Sequence, residues 1–137
     1  MPSDLNRSSK ILLIEENPET AKLILEILIP NDLVPITAMD STTAIDMAKS
    51  DKPDLILFDI MAREKDGCNV CKQLREDSEI SDVPMIVLYE RGSEDFKKRG
   101  IELGCVDCVA KPFVIKELLG TVKKNLNRKH NLPHPGQ

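Results

Sequence analysis

The sequence lacks a hydrophobic run long enough to cross a membrane. Its longest apolar stretch, LILEILI at residues 23–29, is interrupted by Glu26 and is much shorter than the roughly 20 residues of a spanning helix. The first ten residues, MPSDLNRSSK, are polar and lack the apolar core of a secretory signal peptide. We therefore expect a cytoplasmic protein with no role in a membrane.

An excess of positive charge is also missing. The chain has 19 Lys and Arg against 23 Asp and Glu, and this net charge of −4 argues against direct binding of nucleic acid. The composition shows no bias towards disorder, collagen or a coiled coil. A chain of 137 residues is long enough for one domain with its own core. We place that domain at 9–127, after a disordered segment at 1–8 and before a flexible tail or linker stub at 128–137.

Five short apolar runs alternate with amphipathic segments. The runs are KILLI (10–14), LVPITAM (33–39), DLILF (54–58), PMIVL (84–88) and CVDCVA (105–110). Continuous apolarity is typical of strands that are covered on both faces, as in a parallel sheet. Helices are predicted at 17–29, 41–50, 68–77, 93–104 and 114–126, the first with Asn17 as its N-cap. The alternation predicts an open, doubly wound α/β sheet.

Ionisable residues stand at the carboxyl ends of four of the predicted strands. They are Glu15 and Glu16, Asp59, Glu90, and Lys111. Carboxyl ends of parallel strands share one edge, where α/β proteins bind ligands, so we expect these side chains to converge. Crowded carboxylates repel one another, and a bound Mg²⁺ would relieve that repulsion. A metal, a nucleophilic carboxylate and an ammonium are the groups needed to accept a phosphoryl group. The alternative is a cluster of solvated surface charges.

Four segments carry a family resemblance. They are KILLIEENPET, PDLILFDIM with a following DG, PMIVL and AKPF. In order and spacing they resemble the receiver domain of bacterial two-component response regulators, over about residues 9–127. The resemblance implies a flavodoxin-like (βα)5 fold with a doubly wound parallel sheet of strand order 2-1-3-4-5. It also implies that Asp59 accepts a phosphoryl group from a sensor histidine kinase or a phosphotransfer protein, and that Lys111 pairs with that group.

Further expectations follow from the same resemblance. The cofactor is Mg²⁺, and its predicted ligands are Glu15, Glu16, Asp59 and the backbone carbonyl of Met61. The bond before Pro112 is expected to be cis, which is accessible because X–Pro bonds disfavour cis by only about 0.5–1 kcal/mol. Signals would reach a downstream effector protein through the fourth helix, fifth strand and fifth helix, and a homodimer through the charged fourth helix is left open.

Several residues around the expected site differ from the usual receiver pattern. Glu16 replaces an Asp, and we expect weaker metal binding because Mg²⁺ requires near-ideal geometry. Tyr89 stands where a Ser or Thr normally bonds the phosphoryl group, and its ring places the hydroxyl further out. Glu90 replaces a small residue and adds a like charge. Cys108 replaces the aromatic switch residue, and Arg63 replaces a proline.

These differences leave two functions open. The chain is either an active receiver phosphorylated on Asp59 or a phosphorylation-independent pseudo-receiver that acts as a protein–protein interaction module. Beyond self-catalysed phosphoryl transfer to Asp59, no conventional enzyme activity is expected. A haloacid-dehalogenase-type phosphatase also uses an Asp at a strand end, but it needs a second Asp two residues later, where this chain has Met61.

Four cysteines form two CxxC pairs, CNVC at 68–71 and CVDC at 105–108, which on spacing alone fit a zinc site. In the implied sheet order the fifth strand lies at an edge, whereas the third helix packs over the middle of the sheet. We therefore expect packing to prevent the two pairs from surrounding one ion. The prediction is four buried, reduced thiols with a structural role.

Overall fold

The computed structural model describes residues 9–59, 64–92 and 94–131. Strands and helices alternate along these ranges. They are β1 (Ser9–Ile14), α1 (Pro18–Leu28), β2 (Leu33–Ala38), α2 (Ser41–Asp51), β3 (Leu55–Asp59), α3 (Glu64–Glu76), β4 (Met85–Glu90), α4 (Glu94–Glu102), β5 (Asp107–Lys111) and α5 (Ile115–Asn131), with a 3-10 turn at Ile29–Asn31 after α1. The predicted disordered segment 1–8 and residues 132–137 of the predicted tail lie outside the described residues.

The strands form one parallel sheet in the order β2-β1-β3-β4-β5. Apolar side chains of α1 and α5 cover one face, which we call the α1/α5 face. Those of α2 and α3 cover the other face, where α4 also packs against Val87; we call this the α2/α3/α4 face. The predicted flavodoxin-like architecture and strand order are confirmed.

Alternate residues of each inner strand enter the two cores. In β1, Ile11 and Leu13 pack on the α1/α5 face, whereas Leu12 and Ile14 pack on the α2/α3/α4 face. All four are buried. Because both sides of the strand are covered, the run is apolar without alternation, as a parallel sheet requires.

The starts of two helices are closed by side-chain caps. The Asn17 side chain accepts hydrogen bonds from the backbone N–H groups of Glu19 (2.9 Å) and Thr20 (3.2 Å), which confirms the predicted N-cap of α1. At α2, Asp40 accepts from the N–H of Thr43 at 2.8 Å. Within the described ranges, no helix combines the length and apolarity needed to span a bilayer.

Some boundaries differ from those predicted. β4 continues through Glu90, beyond its expected end, because Tyr89 and Glu90 still pair with β5. α3 begins at Glu64, earlier than the predicted start, and α5 continues to Asn131 instead of ending at 126. The extension of β4 bears directly on the site, since it makes two site candidates part of the sheet.

Candidate functional site

Glu15, Asp59 and Lys111 meet at the carboxyl edge of the sheet. Asp59 and Lys111 are the last residues of β3 and β5, and Glu15 directly follows β1. Each stands two residues after a strand residue of the α1/α5 core, namely Leu13, Leu57 and Val109. Since side chains alternate along a strand, all three leave the sheet on the α1/α5 face. The predicted convergence at this edge is therefore present for these three residues.

The carboxylate of Asp59 is paired with the ammonium of Lys111. Lys111 Nζ donates a hydrogen bond to Asp59 Oδ2 at 2.5 Å, and the two side chains are 14% and 1% exposed, respectively. A hydrogen bond between two charged groups is stronger than one between neutral groups, and burial strengthens it further. The pair holds a negatively charged oxygen and a cation together in a nearly dry site.

Glu15 is a buried carboxyl next to Asp59. Only 5% of the residue is exposed, and its backbone N–H donates to the carbonyl of Ala38 at 3.0 Å. Burial raises the pKa of Glu15 to about 8, and the negative charge of Asp59 and a hydrogen bond between the two side chains add to this shift. The positive charge of Lys111 acts in the opposite direction and lowers the pKa. Glu15 is therefore mostly protonated at neutral pH in the metal-free protein.

The Glu15–Asp59 pair fits a magnesium ion by the chemistry of its donors. Mg²⁺ is usually held by one or two carboxylates, with water and phosphate oxygens completing the shell. Burial and then the negative charge of Asp59 raise the pKa of Glu15, and a divalent cation would offset the repulsion between the two carboxylates. Glu16 is exposed, and in the part of the chain that the structure describes no three His, Cys, Asp or Glu side chains form a metal cluster. Met61 lies outside the described residues.

Tyr89 and Glu90 occupy the end of β4 beside β5. In the strand register Tyr89 is opposite Ala110, and Glu90 is opposite Lys111. Tyr89 is 8% exposed, whereas Glu90 is exposed. Alternation along β4 directs Glu90 to the α1/α5 face, which Lys111 shares, and directs Tyr89 to the opposite face. Glu90 thus lies on the same face of the sheet as the lysine of the site, while the phenol of Tyr89 is packed into the protein.

The remaining predicted site residues lie on β5 and after it. Cys108 is half-buried, packs against the core of the α2/α3/α4 face, and donates its backbone N–H to Asp107 Oδ1 at 2.9 Å. The Lys111–Pro112 peptide bond is cis, as expected. Arg63 lies outside the described residues.

Sequence comparison decides the family. The profile of the response regulator receiver domain matches residues 11–123, which is most of the chain. This protein belongs to the response regulator receiver family. Solved structures with similar folds agree with that assignment.

Three of those structures show how the receiver fold extends over the chain. A candidate response regulator from Chloroflexus aurantiacus J-10-fl is 26% identical, with a TM-score of 0.84 over 88% of this chain and 99% of the other. The receiver domain of a signal transduction histidine kinase from Syntrophus aciditrophicus is 24% identical, with a TM-score of 0.81 over 95% and 98%. The chemotaxis response regulator CheY4 of Vibrio cholerae is 23% identical, with a TM-score of 0.78 over 86% and 98%.

In this receiver, the two CxxC pairs approach each other through one sulfur of each pair. Cys71 and Cys105 are buried, as predicted, whereas Cys108 is only half-buried. The sulfurs of Cys71 and Cys105 are 3.8 Å apart, and Cys71 Sγ is also 3.9 Å from the carbonyl oxygen of Leu103. Cys105 lies between α4 and β5, in a loop that packs against α3. The position of β5 at the edge of the sheet therefore does not separate the two sulfurs. Cys71 lies on the apolar stripe of α3, but no sequence pattern indicates that this loop meets the stripe. The side chain of Cys68 lies outside the described residues.

Proposed function

We propose that this receiver accepts a phosphoryl group on Asp59 from the phosphohistidine of a sensor histidine kinase or a phosphotransfer protein. The reaction would be Mg²⁺-dependent and would take place in the cytoplasm. The observation that supports the proposal is the buried Asp59 carboxylate, bonded to Lys111 and adjacent to the Glu15 carboxyl. These are the nucleophile, the cation and a further carboxyl for phosphoryl transfer.

In the proposed reaction, a carboxylate oxygen of Asp59 attacks the phosphorus of the donor. The P–N bond breaks with its electron pair staying on nitrogen, and the ring leaves as neutral imidazole because its other nitrogen is already protonated in the donor. Lys111, which bonds Asp59 Oδ2 before the reaction, then turns its ammonium to a transferred phosphoryl oxygen, because the ester oxygens of Asp59 no longer carry the charge. Glu15 and Asp59 would hold the Mg²⁺, whose charge neutralises the phosphoryl oxygens.

The proposed signalling surface is formed by α4, β5 and α5. Four large apolar side chains around these elements are 45–56% exposed: Ile101, Val106, Val114 and Ile115. Such side chains are available for contact with another protein. This surface therefore supports the binding of a downstream effector protein.

Phosphorylation by a small donor tests the proposal. The protein is incubated with acetyl phosphate and Mg²⁺, and its intact mass is measured. We expect the mass to increase by one phosphoryl group. The increase should be absent in Asp59→Asn and in wild-type protein treated with EDTA. It should be retained in the matched control Asp46→Asn, which changes an exposed Asp of α2. An unchanged adduct in Asp59→Asn contradicts the proposal.

The second candidate is a pseudo-receiver that binds its partner without phosphorylation. The observations that favour it are the packed phenol of Tyr89 and the exposed carboxylate of Glu90 opposite Lys111. Under this alternative, neither the wild-type protein nor Tyr89→Thr acquires a phosphoryl group, although both give the circular dichroism of a folded α/β protein. An adduct on wild-type protein that depends on Asp59 excludes this alternative.

A further inference from the structure

We propose that Cys71 and Cys105 form a redox modification site, at which a hydroperoxide oxidises the two thiols to a disulfide. The bond would join α3 to the loop of residues 103–106 between α4 and β5, which we call the α4–β5 loop. The proposed disulfide does not depend on phosphoryl transfer, because neither sulfur belongs to the site of Glu15, Asp59 and Lys111 at the carboxyl edge of the sheet.

The fold places the two sulfurs close together. They are 3.8 Å apart although the residues are separated by 34 positions in sequence. A disulfide has an S–S length of about 2.0–2.1 Å, so the sulfurs need to approach by roughly 1.8 Å. Cys71 sits on a helix, and Cys105 sits in a connecting loop, where a small backbone shift of this size meets less resistance than inside a strand.

A buried cation lies near the two thiols. Arg75 lies one turn after Cys71, and its terminal nitrogens donate to the carbonyl oxygens of Ser81 (3.0 Å) and Val83 (2.7 Å). Its Nε is buried and has no hydrogen-bond partner among the residues that the structure describes. The two hydrogen bonds hold the positively charged guanidinium of Arg75 near the sulfurs, and its Nε–H group remains available to them.

The cation and the second thiol favour one sulfur as the nucleophile. A hydrogen bond from Cys105, together with the charge of Arg75, lowers the pKa of Cys71, although burial opposes this shift. The same hydrogen bond and burial raise the pKa of Cys105. The thiolate is the reactive form of cysteine, so Cys71 attacks first and Cys105 resolves the intermediate.

The oxidation balances with one hydroperoxide per disulfide. The Cys71 thiolate attacks the terminal peroxide oxygen and the O–O bond breaks. The departing alkoxide, or hydroxide where the oxidant is hydrogen peroxide, takes a proton to give an alcohol or water. Cys71 is then a sulfenic acid. The Cys105 sulfur attacks the sulfur of Cys71, the S–O bond breaks, and the hydroxide leaves as water with the Cys105 proton. Two electrons pass from the two thiols to the peroxide.

Burial limits how the oxidant reaches the pair. Cys71 is 1% exposed and Cys105 is 6% exposed, so reaction requires local opening of the α4–β5 loop. Once formed, the disulfide would oppose that opening, since it links the loop covalently to α3. Cys105 lies before the start of β5 and Lys111 at its end, so the disulfide would form away from the phosphoryl site.

Peroxide treatment of the native, fully reduced protein tests the inference. After exposure to hydrogen peroxide, remaining thiols are blocked with a maleimide, and the protein is analysed by intact mass and proteolytic mapping. We expect the loss of two reactive thiols and a linked pair of peptides containing Cys71 and Cys105, both reversed by dithiothreitol. The matched control, Cys68→Ser with Cys108→Ser, should form the same link, whereas Cys71→Ala and Cys105→Ala should not.

Other oxidation products overturn the inference. Links from Cys71 or Cys105 to Cys68 or Cys108, or sulfinic acids at the pair without a disulfide, exclude the proposed resolution step. If Cys71 and Cys105 stay reduced while Cys108 is oxidised, the pair is inert and structural, and the proposal is wrong. Because the mapping is done on wild-type protein, the result stands even where a cysteine variant does not fold.

Discussion

Among single residues, Glu15 links the stability of the fold to pH. Its pKa is raised from 4.5 to about 8 on folding, mainly by burial. Between these values the folded chain binds more of this proton than the unfolded chain does. The contribution of Glu15 to the free energy of unfolding is therefore fully present below about pH 4.5 and is lost as the pH rises through about 8.

We predict that Glu15→Gln makes the stability of the metal-free protein less dependent on pH. The neutral amide removes the titration, so the decline in the free energy of unfolding, a few kcal/mol at about 1.4 kcal/mol per pKa unit, should flatten. Urea denaturation in EDTA between about pH 5 and pH 9 measures this. Glu19→Gln, which changes an exposed carboxylate in the first turn of α1, should keep the wild-type slope. An unchanged slope in Glu15→Gln contradicts the assignment.

Glu90 is predicted to slow the arrival of an anionic phosphodonor. It is exposed and stands opposite Lys111 in the β4–β5 register. Glu90→Ala should raise the rate of Asp59 phosphorylation by acetyl phosphate about threefold to tenfold, since charges near a protein surface interact by roughly one kcal/mol. The rates are read from a time course of intact mass at low salt. Glu102→Ala, an exposed Glu at the end of α4, should leave the rate unchanged, and equal rates for both variants refute the prediction.

At the scale of the element, the cap of α1 has a testable contribution. Asn17 satisfies two backbone N–H groups that have no partner within the helix. Asn17→Ala should lower the free energy of unfolding by about 1 kcal/mol, whereas Asn17→Asp, which keeps an accepting oxygen, should lower it by much less. Equilibrium urea denaturation distinguishes the two. A loss as large in Asn17→Asp as in Asn17→Ala would show that the cap is not responsible.

The turn after α4 depends on a glycine for two reasons, which a paired comparison separates. Gly104 has φ +102, and an added Cβ would lie 2.7 Å from Cδ of Arg75. Gly92 has φ +98, and an added Cβ would meet nothing within 4 Å. Both changes to Ala should destabilise by about 1–2 kcal/mol through backbone strain. Gly104→Ala should lose more, because its methyl group displaces Arg75.

Thermal or urea unfolding of the two glycine variants provides the measurement. The difference between Gly104→Ala and Gly92→Ala reports the steric effect of Arg75 alone. Equal losses would mean that Arg75 moves aside without resistance, and the position of its guanidinium beside the thiols would then not be fixed.

The sequence predicted the strands and helices well in their interiors and less well at their ends. The interiors are set by apolar pattern, as in the buried run of β1, and one cap was readable from Asn17 and Pro18. The end of β4 could not be predicted, because Tyr89 and Glu90 are held in the strand by pairing with β5, which is a long-range contact. Element ends depend on neighbours that the local sequence does not reveal.

For the whole molecule, one topological rule made most of the site predictable. Parallel strands bring their carboxyl ends together, so the positions of Glu15, Asp59 and Lys111 at predicted strand ends were enough to expect that they meet. The Cys71–Cys105 contact was not predictable in this way. It depends on how a loop of irregular backbone packs against a helix, for which no comparable rule exists.

The central claim is that this shared edge makes Asp59 the phosphoryl acceptor. The most direct test is to treat the protein with acetyl phosphate and Mg²⁺ and then reduce it with sodium borohydride, which converts an aspartyl phosphate to homoserine. Peptide mapping by mass spectrometry should locate the reduced residue at position 59 in the wild-type protein and find none in Asp59→Asn. Reduction at Glu15, Glu90 or another carboxyl, or at no residue of a folded protein, would contradict the account.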